Sequence, residues 1–117
     1  MSDEINPLDA ILKQYLKNSP KSKKYVLPVD YTQLHWTERK VVREQYIEEQ
    51  NNKCMYCGGN LSEQPPTHIT NKRIDWDLFP DNFLKHPIHL QHCHETNMTE
   101  GAVHAYCNAV MWQYEGR

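Results

Sequence analysis

The sequence lacks the long apolar segments that are typical of membrane proteins. No run of about 18 or more apolar residues occurs among its 117 residues, so we expect no membrane-spanning helix. The first residues are acidic and polar and do not form the apolar core of a signal peptide, which predicts a cytoplasmic location. Disulfides are rare there, so the four cysteines are expected to be thiols or metal ligands.

Hydrophobic content and net charge are also low. Hydrophobic residues make up 38% of the chain and the mean hydropathy is -0.85, so we expect a small core that needs a staple such as a metal or an oligomer contact. A net charge of -2 argues mildly against a strong nucleic-acid binder. Basic residues nevertheless form three patches, which are either solvated surface charge or parts of a local phosphate groove: Lys21, Lys23 and Lys24; Arg39, Lys40 and Arg43; Lys72 and Arg73.

Two helices are predicted in the first half of the chain. Asn6-Pro7 is a typical helix start, and apolar residues recur at helical spacing from Leu8 to Leu16. We therefore assign residues 1–28 to an N-terminal helix and a basic linker, and residues 29–117 to the main domain. A second helix is expected to begin after Thr37 as its cap and to end near Asn51.

The second half is predicted to contain strands and one more helix. Residues 60–85 are expected to form a short strand and a loop that cover the core, with four apolar residues involved: Ile74, Trp76, Leu78 and Phe79. Residues 87–91 alternate as a strand does, and residues 98–103 are expected to return as a second strand with Gly101 at a bend. From His104 onward the apolar residues follow a helical period.

Two pairs of candidate metal ligands share the same two-residue gap. Cys54 and Cys57 are followed by glycines, as in a zinc knuckle, and His104 and Cys107 lie at the start of the last helix. Four nitrogen and sulfur donors suit tetrahedral Zn²⁺, so we predict one structural zinc ion at these residues. Cys93 is a competing donor, although nothing pairs with it at this spacing.

The segment from Leu90 to Asn108 resembles the HNH or His-Me finger nucleases, and within them the phage recombination endonuclease VII family. That family has an Asp-His-x-His element on a strand, then a Gly and a Cys-x-x-Cys-Asn element at the head of a helix. A Cys-x-x-Cys pair lies upstream. The resemblance covers about residues 54–57 and 88–115 and implies a zinc-stapled ββα-metal domain of α+β class. It also implies a DNA endonuclease, with branched DNA as one substrate and a homodimer formed through the N-terminal helix.

The resemblance assigns a role to each active-site residue. His92 matches the general base, His94 matches a second active-site histidine, and Asn108 matches a ligand of a catalytic Mg²⁺ or Mn²⁺. His104 stands where the family usually has a zinc-binding cysteine. If the chain is phage-encoded, the cytoplasm would be that of the host cell.

Gln91 stands where the family has a metal-binding Asp. An amide oxygen is a weaker ligand for a hard cation than a carboxylate, so Gln91→Asp is expected to tighten cation binding. Successive side chains of a strand point to opposite faces, so Gln91 and His92 reach one phosphate only if the strand has a bulge or twist at its end.

Two alternatives to a nuclease stay open at this point. The first is a catalytically degenerate His-Me finger that binds nucleic acid or a protein partner without cutting, which Gln91 and the acidic net charge favour. The second is a thiol redox module that uses Cys54 and Cys57. The chain lacks the βαβ pattern that usually accompanies such a module.

Overall fold

The computed structural model describes residues 25–116, which form a small mixed helix and sheet domain. The predicted N-terminal helix and the first basic patch lie outside these residues. Within them the regular elements are α1 (Trp36–Glu49), α2 (Thr67–Thr70), β1 (Ile88–His92), β2 (Thr99–His104) and α3 (Ala105–Glu115), with 3₁₀ turns at Tyr31–Gln33 and Trp76–Leu78. None of these helices is long and apolar enough to span a bilayer.

Helix α1 begins earlier than the sequence predicted. His35, rather than Thr37, is its cap: the His35 ring accepts the Thr37 backbone N–H at 3.3 Å, while the Glu38 carboxylate accepts the His35 backbone N–H at 3.0 Å. This reciprocal capping box satisfies two amides that have no partner inside the helix, which explains the earlier start. Val42 and Tyr46 then point into the core, as their helical spacing predicts.

The predicted order of strand, strand and helix in the last third is confirmed. β1 and β2 form a two-stranded antiparallel sheet in which Ile88 pairs with His104, and α3 begins directly after β2. A bulge lies between Gln91 and His92, at the place where the sequence required one if both side chains were to reach one phosphate. The bulge turns the end of β1 toward the loop that follows it.

Gly101 allows β2 to lie close to the rest of the domain. The Gln50 side chain accepts the Ala102 backbone N–H at 2.9 Å and donates to the Ala102 carbonyl at 3.0 Å. A Cβ atom at position 101 would lie 2.8 Å from the Gln50 side-chain oxygen and 3.1 Å from Met55. Only glycine fits at position 101 without a shift of its neighbours. The close approach joins β2 to Gln50 at the end of α1 and to Met55 in the turn between Cys54 and Cys57.

The segment 60–85 differs from its prediction. It contains helix α2 and a 3₁₀ turn instead of a strand, and its apolar residues divide between core and surface. Ile74 is buried and Phe79 packs on the core, whereas Trp76 and Leu78 are exposed. Local capping explains the difference, because the Asp75 carboxylate accepts the Asp77 backbone N–H at 3.1 Å and closes a turn.

Helix α3 forms the centre of the core. Its residues Cys107, Ala109, Val110 and Met111 are fully buried, and the helix packs against α2, β1 and β2. The helix ends at Gly116, whose φ of 71° provides the left-handed cap that favours glycine. The head of α3 is therefore held firmly, and this is the end that carries Cys107 and Asn108.

Candidate metal centre and active-site groove

The four predicted zinc ligands lie together. The donor atoms of Cys54, Cys57, His104 and Cys107 are all within 4.8 Å of one another, and the cluster is mostly buried. The knuckle contributes two thiols, and the other two donors come from the junction of β2 and α3. This Cys3His set could hold a structural zinc ion in tetrahedral coordination.

Backbone amides support the knuckle thiols. The Cys54 sulfur accepts the N–H groups of Tyr56 at 3.4 Å and Cys57 at 3.5 Å, and the Cys57 sulfur accepts that of Gly59 at 3.4 Å. Gly58, with a φ of 77°, makes the turn that brings these amides round. Amides directed at sulfur stabilise thiolates, the form that binds metal.

The protonation of the cluster is uneven. A hydrogen bond from the Cys107 thiol, with smaller contributions from backbone amides, lowers the pKa of Cys54 to about 4. Burial raises the pKa of Cys57, and the bond to the Cys54 thiolate together with burial strongly raises the pKa of Cys107. One thiolate is therefore favoured in the absence of a cation, and binding of zinc would release the remaining thiol protons.

His104 is oriented as a metal-binding histidine. Its Nε2–H donates to the backbone carbonyls of Asn60 and Glu63, both at 2.9 Å. The lone pair is therefore on Nδ1, which faces the sulfurs of Cys57 at 3.4 Å and Cys107 at 3.6 Å. A carbonyl partner on the second ring nitrogen is the usual support for a histidine ligand, so the cluster fits zinc in its outer contacts as well.

His92 lies at the end of β1 within a stack of planar groups. Its ring stacks on Tyr31 with centroids 4.0 Å apart and an angle of 11°, and the Arg39 guanidinium lies 3.9 Å above the Tyr31 centroid. Tyr31 reaches this position because its backbone N–H donates to the Asn97 carbonyl at 2.8 Å, beside the start of β2. The stack fixes the plane of the His92 imidazole.

The electrostatic surroundings keep His92 neutral. Burial lowers the pKa of His92, electrostatic repulsion from His94 and Arg39 lowers it further, and the Glu100 carboxylate opposes this with a smaller effect. The His94 ring lies 4.8 Å from the His92 ring but is itself exposed. A neutral imidazole at neutral pH can accept a proton, which is what a general base requires.

Asn108 contacts His89, which lies on β1 two residues before Gln91. The Asn108 amide donates to His89 Nδ1 at 3.0 Å, while His89 Nε2–H donates to the Phe83 carbonyl at 2.9 Å. Burial and the charges of Arg43 and His86 lower the pKa of His89. His89 therefore presents its Nδ1 lone pair to the Asn108 amide, and its other nitrogen is anchored by a backbone carbonyl as in His104.

Gln91 makes its hydrogen bonds within the domain. Its side chain is 2% exposed, and its amide donates to the His92 carbonyl at 3.0 Å and to the Glu100 carboxylate at 3.4 Å. These bonds hold the backbone at the bulge. Gln91 thus borders the same cavity as His92 and Asn108, but its amide group is engaged with protein atoms.

An open groove with a volume of about 900 Å³ is lined by His89, Gln91, His92 and Asn108. β1 forms its floor, and α1 forms one wall with the second basic patch: Arg39, Lys40 and Arg43. The opposite wall is apolar, with Phe79, Phe83 and Trp112 in edge-to-face and tilted contact. The third basic patch lies elsewhere, where Arg73 borders a separate shallow pocket with Trp76.

Sequence reasoning missed several members of the groove. Tyr31 and Phe83 lie in segments without a motif, and the role of His89 depends on a contact with a helix 19 residues further on. The spacing of His89, His92 and His94 in one strand and turn was the available signal for a histidine-rich site. Cys93, the competing donor, is not among the clustered ligands. Its side chain makes hydrogen bonds with Thr96 in the turn that follows β1.

Comparisons with protein-family models, with curated proteins and with solved structures give no significant match to this chain. The metal cluster and the groove are therefore interpreted from their own chemistry.

Proposed function

We propose that this protein is a divalent-metal-dependent DNA endonuclease of the HNH type, stapled by one zinc ion. One observation carries the proposal: a neutral histidine, a second histidine paired with a helix-head asparagine, and a basic helix wall line the same groove, namely His92, His89, Asn108 and the patch Arg39, Lys40 and Arg43. Phosphodiester hydrolysis needs a base, a cation and phosphate contacts, and these groups offer a base, ligands for a cation and positive charges for the phosphates.

His92 is the proposed general base. It removes a proton from a water molecule as the water oxygen bonds to phosphorus and the bond to the leaving sugar oxygen breaks. Tyr31 positions the imidazole by stacking on it, and Arg39 holds Tyr31 from the other side through its guanidinium and a 3.2 Å bond to the Tyr31 carbonyl. The lowered pKa keeps His92 ready to accept the proton.

His89 and Asn108 are the proposed cation ligands. The Asn108 amide now donates to His89 Nδ1; if the amide turned to present its oxygen, Nδ1 and that oxygen would make a mixed nitrogen and oxygen set. When bound, a divalent cation would neutralise charge on the phosphate and the leaving oxygen. Imidazole favours Mn²⁺ over Mg²⁺, so we expect manganese to support the reaction better. Gln91 contributes by holding the bulge in place.

Basic residues of α1 are proposed to bind the DNA backbone beside the reacting phosphate. Lys40 is exposed and Arg43 half-buried along one wall, where phosphate groups can approach them. A branched substrate and a homodimer through the N-terminal helix remain part of the proposal that the sequence resemblance supports. The N-terminal helix lies outside the described residues.

A nicking assay tests the proposal. Supercoiled, linear and branched DNA would be incubated with the protein and Mn²⁺, Mg²⁺ or no added cation, with His92→Ala as the control. We expect nicking with Mn²⁺, weaker nicking with Mg²⁺, and none with the variant. Equal cutting by His92→Ala would identify a contaminant or another base, and absence of cutting on every DNA would refute the nuclease assignment.

The second candidate is a domain that binds nucleic acid without cutting. One observation favours it: none of the groove-lining residues within 25–116 is an aspartate or a glutamate. Hard cations such as Mg²⁺ are usually held by at least one carboxylate. DNA binding without nicking in any metal would select this candidate.

A further inference from the structure

The groove exposes two large aromatic rings. Trp36 at the start of α1 is 71% exposed, and Trp112 on α3 is 45% exposed, and both border the groove. A third tryptophan, Trp76, is similarly exposed at 40% but borders the separate pocket. Two exposed indoles that border the same groove indicate a binding surface for a ligand or a partner molecule.

The faces of these indoles are not covered by stacking partners. The ring of Phe79 meets Trp112 edge to face, with centroids 5.3 Å apart at 65°. The ring of His35 meets Trp36 at 5.5 Å and 37°. Neither contact within residues 25–116 is a parallel stack, so flat surface is left for a planar ligand. The parallel stack of Tyr31 on His92 belongs to the same groove.

The charge on the groove selects for a polyanion. Arg39, Lys40 and Arg43 lie along its α1 wall, no carboxylate borders it within residues 25–116, and none of the three makes an ion pair with the described residues. The Arg39 Nε is buried and has no hydrogen-bond acceptor among those residues. The groove therefore offers positive charge that no carboxylate along its described lining neutralises, and charged groups of this kind bind phosphate oxygens.

Planar rings linked by phosphates describe a nucleic-acid strand whose bases are unpaired. In a duplex the faces of the bases are stacked on one another and are closed to tryptophan, whereas in a single strand every base offers a face. We propose that the groove binds a single-stranded DNA segment, with its bases stacked on Trp36 and Trp112 and its phosphates on the basic wall of α1. This inference deepens the proposed nuclease function, on which it rests, by naming the DNA structure that is bound.

Binding measured without cutting tests this proposal. Three probes of about 15 units would be compared in zinc-containing buffer with no other divalent cation: a thymine oligonucleotide, an abasic strand of the same length, and a duplex. The abasic strand keeps the phosphates and removes the bases. We expect the thymine strand to bind at least about tenfold more tightly than the abasic strand or the duplex, and to quench tryptophan fluorescence.

Three tryptophan variants of the full chain then assign the binding surface. Trp36→Ala and Trp112→Ala are each expected to weaken thymine-strand binding on the order of tenfold, because stacking of one base is lost. Trp76→Ala is the matched control, with similar exposure outside the groove, and should bind as the parent does. Zinc content and circular dichroism would identify any variant that fails to fold, and Trp→Phe at the same position should then recover most of the affinity.

The outcomes separate this inference from the proposed nuclease. Equal affinity for the abasic and thymine strands, or an equal loss from Trp76→Ala, overturns base stacking, and plasmid nicking would still support the nuclease. Base-dependent binding by a protein that nicks no DNA supports the inference and refutes the nuclease. Failure of every DNA probe to bind overturns the inference and leaves a protein partner as the occupant of the groove.

Discussion

The metal cluster and the groove are built in different ways, although they share the hairpin and α3. The cluster draws on two short segments, buries most of its donors and supports three of its four ligands through nearby amides and carbonyls. The groove draws on the segment before α1, on α1, on the loop before β1, on β1 and on α3, and much of it is open to solvent. The difference separates a site that stabilises the fold from one that leaves its groups free to bind.

Loss of the cluster should have the largest effect. Cys107→Ala leaves an incomplete site in a small core, so we expect no bound zinc and an unfolded or aggregating chain, because structural zinc contributes on the order of 10 kcal/mol to small domains. Elemental analysis and thermal unfolding would measure this. Cys93→Ala is the matched control, since Cys93 lies outside the cluster, and it should keep one zinc per chain. A well-folded Cys107→Ala protein that contains no zinc would show that the staple is unnecessary.

Substitutions in the groove should change the rate of DNA cleavage and leave the stability of the fold unchanged. His92→Ala is expected to slow DNA cleavage by roughly a hundredfold to ten-thousandfold, because the proton acceptor is lost. Its unfolding temperature, zinc content and DNA affinity should match those of the parent. The control in single-turnover kinetics is His68→Ala, because His68 is exposed and lies outside the groove. If His92→Ala loses zinc and unfolds, the division between cluster and groove is wrong.

Removal of His89 should change the metal requirement. His89→Ala deletes the proposed nitrogen ligand, so the Mn²⁺ concentration for half-maximal cutting should rise on the order of ten- to a hundredfold. Cutting at saturating Mn²⁺ should fall much less. Gln91→Asn is the comparison, because Gln91 is engaged with protein atoms. The assignment fails if Gln91→Asn raises the metal requirement and His89→Ala does not.

Gln91→Asp tests whether position 91 belongs to the fold or to the cation. The sequence alone predicts a tighter cation site, whereas the buried position predicts a destabilised domain. An aspartate cannot donate to the His92 carbonyl, and its charge would lie beside Glu100. We expect a loss of about 1–3 kcal/mol in the free energy of unfolding, measured with denaturant. A lower metal requirement at unchanged stability would restore position 91 as a ligand.

The smallest expected effect is on pH dependence. The neutral form of His92 is the proposed base, and its lowered pKa predicts that cutting persists below the usual histidine range and is lost only in more acidic solution. Arg39→Gln removes one positive charge that lowers this pKa, so the acid limb of the rate profile should move to higher pH. Arg39→Lys keeps the charge and should leave the limb where it is. Identical profiles for parent and Arg39→Gln would exclude this electrostatic link.

Regular spacing explains what the sequence could predict. Two pairs with the same gap identified the four clustered residues, and alternating and helical periods located β1, β2 and α3 within one or two residues. Local hydrogen bonds that leave no periodic trace account for the errors, as in the His35 cap and the turn at Asp75. The pairing of His89 with Asn108 depends on how the hairpin packs on α3, and a one-dimensional pattern does not contain that angle.

His104 is the last residue of β2 and the cap of α3, and Cys107 directly precedes Asn108. A metal ion bound at these residues would fix the angle between the hairpin and α3. Its radius would therefore influence the position of Asn108. With Co²⁺ bound in place of Zn²⁺, the visible absorption spectrum would report the coordination geometry. A change in that spectrum when a ligand enters the groove would show that the two sites are coupled. Because His104 and Cys107 belong to the elements that carry the groove residues, we expect removal of the ion to disorder the groove as well.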